Sequence, residues 1–319
     1  MTRLAERVST SVKVPRKVDK KLKVTVLSGG PSAEREVSLK SGQAVAAALK
    51  SLGYEVHVAD IAPDSLAALD SPADVVFIAL HGAFGEDGRL QRILESRGIR
   101  YTGSGPEASA MAMDKVAAKC RFIEADVPTP RFDVVTPDQV VELAAQWRPP
   151  VVLKPIADGS SVDISIARDP AALGQTLSTL VMKYGRCLIE QFIEGVELTV
   201  GVLQDQALPP IQIRTKREFY NYEAKYLDND TEYLFDMSLP PAVLTRVQEL
   251  SVKASQALGC RDFCRVDWMV EARTLQPFAL EVNTIPGFTD HSLLPKAAAR
   301  VGIDFAELCR RIVESAVAR

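Results

Sequence analysis

The stretch RVDWMVEARTLQPFALEVN, residues 265–283, carries two carboxylates in register across a predicted turn. Val266, Trp268 and Val270 are apolar at every second position, and so are Phe278, Leu280 and Val282 beyond a polar break at 272–276. That period of two predicts a hairpin with one buried face. Folding it about Thr274 sets Asp267 opposite Glu281 and Arg265 opposite Asn283. Two carboxylates about 5 Å apart repel by roughly 3 kcal/mol at an effective dielectric near 20, and like charges directly opposed weaken a strand pair. Something positive is expected between them. Asp267, Glu281 and Asn283 offer hard oxygen ligands of the kind magnesium takes, with waters and substrate phosphates completing its shell. A solvated outer face with a salt bridge from Arg265 explains the hairpin alone equally well.

Other stretches carry weaker signals. In VVLKPIADGSS, 151–161, Lys154 ends an apolar strand before a loop with a glycine and two serines. Such a loop can offer an ammonium and backbone N–H groups to phosphate oxygens, although the glycine–lysine order is not that of a Walker A motif. A surface turn is the plainer reading of that stretch. In GGPSAEREVS, 29–38, glycines after a strand permit close approach, and Glu34 stands at a predicted helix entry. Its carboxylate either stabilises the helix dipole or seats a substrate ammonium. HGAFGEDG, 81–88, with His81, is either a turn or a loop closing over a ligand. In GFTDHSLLPKAA, hydroxyls before a helix can grip a carboxylate, and a cap at Ser292 fits equally well.

The elements that position these residues form three segments. KVTVLSGG, EVHVAD and DVVFIALHG read as strands, with helices over SGQAVAAALKSLG and over 90–96, before IRYTGSG. Alternating strands and helices predict a parallel sheet with ligands at the carboxyl ends of its strands. Asp114 caps a helix over KVAAKCRFIEA, followed by the strand RFDVV, a cap and first-turn proline at Thr136 and Pro137, and the strand PVVLKP. Asp169 and Pro170 open another helix, and RCLIEQFI is a strand. The third segment holds VELTVGVL, PPIQIR, a polar loop over 215–238, a helix ending at Gly259, the hairpin and two terminal helices. A patternless loop of that length inside a compact domain reads as a lid or binding loop.

Composition narrows the class. The 319 residues are enough for two or three packed subdomains. With 47% apolar and 25% charged residues and a net charge of −3, the chain has an ordinary soluble composition. No basic excess marks a nucleic-acid surface, and no apolar run reaches the length of a membrane span. Three histidines and five cysteines form no zinc-type spacing, and Cys260 and Cys264, the closest pair, read as packing residues. An odd, scattered cysteine count fits a reducing cytoplasm. Residues 1–21 are polar and basic, lack the apolar core of a secretory signal, and read as a disordered extension.

The ordered set GGPSAEREVSL, HGAFGEDG, YTGSG, MDK, LKPIADGSSV, YEAKY, RVD, EVNTIPG and HSL resembles the D-alanine–D-alanine ligases, ATP-grasp enzymes of bacterial wall synthesis. The resemblance runs from about residue 21 to 312. It implies an α/β, ATP-grasp fold: a Rossmann-like parallel-sheet domain over 22–113, then two α+β subdomains over 114–193 and 194–319 that clasp the nucleotide. The 215–238 loop becomes a lid that keeps water from an acyl phosphate. It implies ATP and magnesium (or manganese in its place), two D-alanine substrates and a homodimer. Lys115 and Lys154 match phosphate-binding lysines. Glu190 and Glu197 match contacts to the adenine side and the ribose, and Lys225 matches a loop lysine near the nucleotide. Asp267, Glu281 and Asn283 match metal ligands. Arg265 and the N–H of Gly287 match the groups that stabilise the tetrahedral oxyanion. Glu34 matches the seat of the first ammonium, with Ser160 and Tyr226 as its hydrogen-bonding partners and His81 beside the substrate. Ser292 and Leu293 match the grip on the second carboxylate.

Two positions depart from the usual motifs. Asp163 stands where relatives have glycine, which predicts an outward-pointing side chain or an altered phosphate loop. PGFTD replaces the commoner PGMTS, so the second-substrate pocket is expected to differ slightly. A ligase using D-lactate or D-serine as acceptor is the alternative enzyme reading, and the tyrosine of YEAKY favours the dipeptide. A nucleotide-binding regulator would not need the intact set of Glu34, Lys154, Arg265, Asp267 and Glu281.

Overall fold

The computed structural model describes residues 22–157, 162–215 and 231–319. It opens with the predicted parallel sheet: β1 (Lys23–Ser28), β2 (Glu55–Asp60) and β3 (Val75–Ile78), in the order β2-β1-β3. Tyr101 extends it through a parallel bridge to Val76. The apolar run of β1 follows from burial on both faces. Val24 and Val26 pack with α1 (Arg35–Ser51), and Leu27 packs with Leu90 and Leu94 of α2 (Arg89–Ser96). A helix that the periodicity did not reveal, α3 (Pro106–Met113), follows.

Next comes α4 (Lys115–Glu124), capped by Asp114, whose carboxylate accepts the N–H groups of Val116 and Ala117 at 2.9 and 3.0 Å. The central sheet comprises β4 (Phe132–Val135), β5 (Val151–Pro155), β6 (Ser165–Ala167) and β7 (Cys187–Gln191), ordered β4-β7-β5-β6 and antiparallel. Helices α5 (Val140–Gln146) and α6 (Pro170–Tyr184) cover one of its faces. Asp169 caps α6 as expected, through Ala172 N–H at 2.9 Å.

The last sheet runs β11-β10-β8-β12-β13, with β9 on β8: β8 (Gly195–Leu203), β9 (Gln206–Ala207), β10 (Ile211–Arg214), β11 (Glu232–Leu234), β12 (Phe263–Glu271) and β13 (Pro277–Asn283). Helices α7 (Pro241–Ala257) and α4 close over it. The terminal helices α8 (Leu293–Arg300) and α9 (Phe305–Val317) return to the N-terminal sheet, where Leu294, Ala298, Leu308 and Ile312 share a core with Val24, Val45 and Phe77. Part of the expected 215–238 loop is instead a strand, β11, paired with β10. Residues 216–230 of that loop, and 1–21, lie outside the described residues.

The hairpin register is as predicted where it matters: Arg265 pairs with Asn283, Val266 with Val282 and Asp267 with Glu281. Trp268 then pairs with Ala279, which leaves Leu280 as the extra residue of a β-bulge. One inserted residue exchanges the faces of everything beyond it. Val282 and Ala279 therefore enter the core with Val266, Trp268 and Val270. The expectation that Phe278 and Leu280 share that buried face is corrected: both are only partly buried, and Leu280 lines a cavity on the opposite side.

Candidate active site

A cavity of about 390 Å³ opens between the central and last sheets. Val152, Lys154, Ile166 and Glu190 wall it from one side, and Glu197, Asp267, Met269, Leu280 and Glu281 from the other. Phe192 and Ile193, in the link between β7 and β8, close its end. Apolar walls with charged groups converging at one end suit a flat ring carrying a polyanion.

The cationic end is built on α4 and β5. Lys115 and Lys119 sit one helical turn apart, both buried. Lys119 Nζ lies 2.9 Å from Glu190 Oε2 and donates to Thr129 Oγ1 at 2.7 Å. Its charge also lies over the Phe132 ring, 5.3 Å from the centroid. Lys154 pairs with the other oxygen of Glu190. Burial works to raise the Glu190 carboxyl, but the two ammonium groups outweigh it and hold it below the usual carboxylate range. Burial likewise pulls Lys119 below the usual lysine range, against the attraction of Glu190. Two ammoniums and one carboxylate leave this buried cluster with a net charge of +1.

The facing carboxylates of the hairpin each find their own cation. Arg265 forks onto Asp267, Nε to Oδ1 at 2.9 Å and Nη2 to Oδ2 at 2.8 Å. Thr199 Oγ1 also donates to Asp267 Oδ1 at 2.6 Å. Lys115 Nζ approaches Glu281 Oε2 from α4 at 3.7 Å. The repulsion across the strands is thus relieved from two sides rather than by one group in the middle. Among the described residues no three His, Cys, Asp or Glu side chains gather as a metal cluster. The hairpin instead supplies two carboxylates and the carboxamide of Asn283, all oxygen donors, with both carboxylates on the cavity wall. That donor set fits magnesium, which keeps places for water and phosphate oxygens.

The charge of Arg265 is also felt in a second cluster, at His81 and Glu86. Glu34 stands at the N-cap position of α1 but makes no cap. Its carboxylate lies against Gly82, whose φ is 68° and where a Cβ would come within 2.9 Å of Glu34 Oε2. His81 is buried, with Nδ1 3.0 Å from Ile285 O and Nε2 3.1 Å from Ser41 Oγ, so both ring nitrogens meet protein partners. Burial keeps its pKa low despite the charge of Glu34. Glu86, also buried, accepts the Gly82 N–H at 2.6 Å. Burial and then the Glu34 charge push the Glu86 carboxyl up to about 8.

Ser292 stands at the N-cap position of α8, yet its hydroxyl does not cap the helix. It accepts the Thr289 N–H at 3.0 Å and lies 3.0 Å from Thr289 Oγ1. The cap explanation for that serine therefore fails, while Leu293 opens the helix as a buried residue. Gly287 is close by: a Cβ there would sit 3.3 Å from Ser292 Oγ. Asp163 faces away from the cavity walls to Lys183 and to Tyr184 Oη, the latter at 2.5 Å, on a backbone with φ 53°. Ser160, Lys225 and Tyr226 lie outside the described residues. Lys119, Thr199, Ser41 and Glu86 escaped the sequence reading. Lys119 had a signal in its spacing of four from Lys115, and Glu86 lay inside a loop already noted; Ser41 and Thr199 had none.

Comparison with known proteins decides the family. A family model described as the C-terminus of D-ala D-ala ligase matches residues 122–314, and the N-terminal model matches 62–104. The chain belongs to the D-alanine–D-alanine ligase family. Among curated relatives, the D-alanine–D-alanine ligase of Citrifermentans bemidjiense is 46% identical over 93% of this chain and 97% of its own. Among solved structures, the D-alanine–D-alanine ligase of Bacillus anthracis is 35% identical, with a TM-score of 0.83 over 93% of this chain and 98% of that one. A D-alanine–D-alanine ligase from Bacillus anthracis complexed with ATP gives a TM-score of 0.79 at 31% identity, covering 93% of this chain and 98% of that one. The ATP-grasp architecture of the D-alanine–D-alanine ligase family is what sets the central and last sheets face to face around the cavity.

Proposed function

We propose that this chain joins two molecules of D-alanine into D-alanyl-D-alanine, converting ATP to ADP and phosphate, as a step toward peptidoglycan precursor. What supports this reading is a cavity walled by Lys154, Glu190, Glu197, Asp267 and Glu281, with Arg265 paired to Asp267 on that wall and its charge felt at His81 and Glu86, beside Glu34. The ATP complex of the Bacillus anthracis relative supports ATP as the nucleotide.

A carboxylate oxygen of the first D-alanine attacks the γ-phosphorus, the bond to the β-phosphate oxygen breaks, and an acyl phosphate forms with ADP. The amine of the second D-alanine attacks the acyl carbon. The tetrahedral adduct then expels phosphate, and the amine proton is lost. Phosphoryl transfer asks mainly for positioning and neutralisation of charge, which Lys115 and the net +1 of the Lys119–Glu190–Lys154 cluster provide. Glu190 holds Lys154 in place and borders the adenine, while Glu197 receives the ribose. Asp267, Glu281 and Asn283 would hold magnesium, which supplies further neutralisation of the phosphate oxygens when bound. Glu34 seats the first ammonium. Arg265 and the Gly287 N–H meet the oxyanion, and Ser292 with the N–H of Leu293 takes the second carboxylate at a helix start. Ser160, Lys225 and Tyr226, matched by sequence motif, would complete the site.

In this reading the chain divides into 22–113, 114–193 and 194–319, works in the cytoplasm and pairs as a homodimer. Among the described residues no helix is long and apolar enough to cross a membrane. The test is phosphate release from ATP and magnesium across D-amino acids, with products identified by mass. D-Alanine should stimulate release and give the dipeptide. Release only with D-lactate or D-serine as the second substrate would replace the acceptor. Sedimentation of the full chain checks the dimer.

A further inference from the structure

Gly287 lies in the chain after β13, yet its neighbours are held from the N-terminal sheet. His81 Nδ1 lies 3.0 Å from the Ile285 carbonyl. A carbonyl oxygen only accepts, so Nδ1 carries the ring proton and Nε2 is the acceptor. Ser41 Oγ, 3.1 Å from Nε2, therefore donates to the ring. The same oxygen accepts the Phe288 N–H at 3.3 Å. Glu86 accepts the N–H of Gly82, the residue after His81, at 2.6 Å and so fixes the loop that carries the imidazole. Ser41 comes from α1, and His81 and Glu86 from the loop after β3, so side chains of these N-terminal elements take Ile285 O and Phe288 N–H, with Glu86 bracing the loop behind His81.

Pro286 has no N–H, and Phe288 gives its own to Ser41, so Gly287 carries the amide between them that these side chains do not take. The flanks are also fixed by packing. Ile285 is buried among Leu27, Ile78 and Phe84, and the Phe288 ring lies 5.5 Å from Phe77 and 5.4 Å from Phe263. A glycine between them would otherwise wander more than any other residue.

We propose that Ser41, His81 and Glu86 are positioning residues that aim the Gly287 N–H at the oxyanion of the tetrahedral step. The proposal rests on Gly287 being an oxyanion donor, as in the function proposed above. An oxyanion donor works only at about 2.7–3.1 Å, and a misplacement of about 1 Å can cost roughly a hundredfold in rate. The acyl-phosphate step does not use that N–H, so the two half-reactions should respond differently.

The test compares Ser41→Ala, Glu86→Leu and Glu86→Gln in the full chain. Turnover is measured beside two other readouts. One is trapping of the acyl phosphate from ATP and D-alanine by hydroxylamine. The other is affinity for a dipeptide analogue with a tetrahedral phosphinate in place of the attacked carbon, since such mimics report transition-state contacts. Ser41→Ala and Glu86→Leu should lower kcat by about 10- to 100-fold and weaken phosphinate binding by the same factor. Trapping should fall less than about threefold, and Glu86→Gln, which keeps an accepting oxygen, should retain most turnover. Equal loss of trapping and peptide formation in Ser41→Ala would overturn the proposal in favour of a merely structural role, as would unchanged phosphinate affinity. Should Glu86→Leu fail to fold, Ser41→Ala, which removes a single oxygen, decides alone. Arg265→Met separates the two levels. Unweakened phosphinate binding there sinks the oxyanion reading itself, whereas weakening there with none in Ser41→Ala sinks only the positioning.

Discussion

Replacing Glu190 by Gln should destabilise the chain more than removing either lysine that touches it. Glu190 is 1% exposed, 2.9 Å from the Lys119 ammonium and in contact with that of Lys154. At 2.9 Å and an effective dielectric of about 20, each ammonium–carboxylate attraction is about 6 kcal/mol, most of it offset by the cost of drying the charges. Glutamine keeps the shape and one accepting oxygen but leaves two buried ammonium groups facing one another. Breaking a buried pair in this way costs about 3–5 kcal/mol. Lys119→Met behaves differently. It removes one dried charge, fills the channel with a chain of similar length, and should change stability by about 1–2 kcal/mol. The remaining Glu190–Lys154 pair is then neutral. A unit charge about 6 Å from a phosphate at that dielectric is worth roughly 3 kcal/mol, so ATP affinity should fall at least about tenfold after screening. Urea unfolding followed by circular dichroism reads the first effect, and calorimetric ATP titration the second. A Glu190→Gln protein within about 1 kcal/mol of wild type would refute the idea of a charge-coupled triad. So would unaltered ATP binding in Lys119→Met.

Glu281→Gln should leave the melting temperature nearly unchanged, because the side chain is partly exposed, while turnover falls by about two orders of magnitude and the magnesium needed for half-maximal rate rises. Normal turnover at low magnesium would remove Glu281 from the metal. Asp163→Gly should keep turnover within about twofold, since glycine accepts the φ of 53° and the lost carboxylate is already neutralised by Lys183. Glu307, hydrogen-bonded by Arg310 and Arg311 on α9, has its carboxyl held down at about 2 against an ordinary 4.5. A depressed carboxyl stabilises the fold above about pH 4.5, and that contribution is lost as pH falls toward 2. Solvent screening limits it to about 1 kcal/mol. Glu307→Gln should therefore melt a few degrees lower than wild type at pH 7 and together with it near pH 2; a constant gap would refute the pairing.

The register of the hairpin was legible because period-two alternation on two strands leaves few ways to pair them, and Asp267 did meet Glu281. The bulge at Leu280 was not, since an inserted residue changes neither composition nor polarity, only which side of the sheet follows. Asp114 and Asp169 announced their helices by chemistry that acts within three residues. The helix Pro106–Met113, short and rich in alanine, shows no clear apolar stripe and passed unnoticed. Lys119 and Ser41 sit in ordinary helical sequence, and their roles arise only when Glu190 or Phe288 arrives from far along the chain. Contacts of that kind come from tertiary packing, which no local period encodes.

The sharing of one core by strands near residue 24 and a helix near residue 312 has a bearing on how the molecule is made. A nascent chain halted before residue 305 would emerge with Val24, Val45 and Phe77 still awaiting α9, and so with sticky surface presented to whatever is nearby. Asp262, bound by Ser315, Arg319 and the Gly103 amide, then latches the last helix to the segment that follows the first sheet. Synthesis of the first sheet and completion of its core are therefore separated by the making of both later sheets.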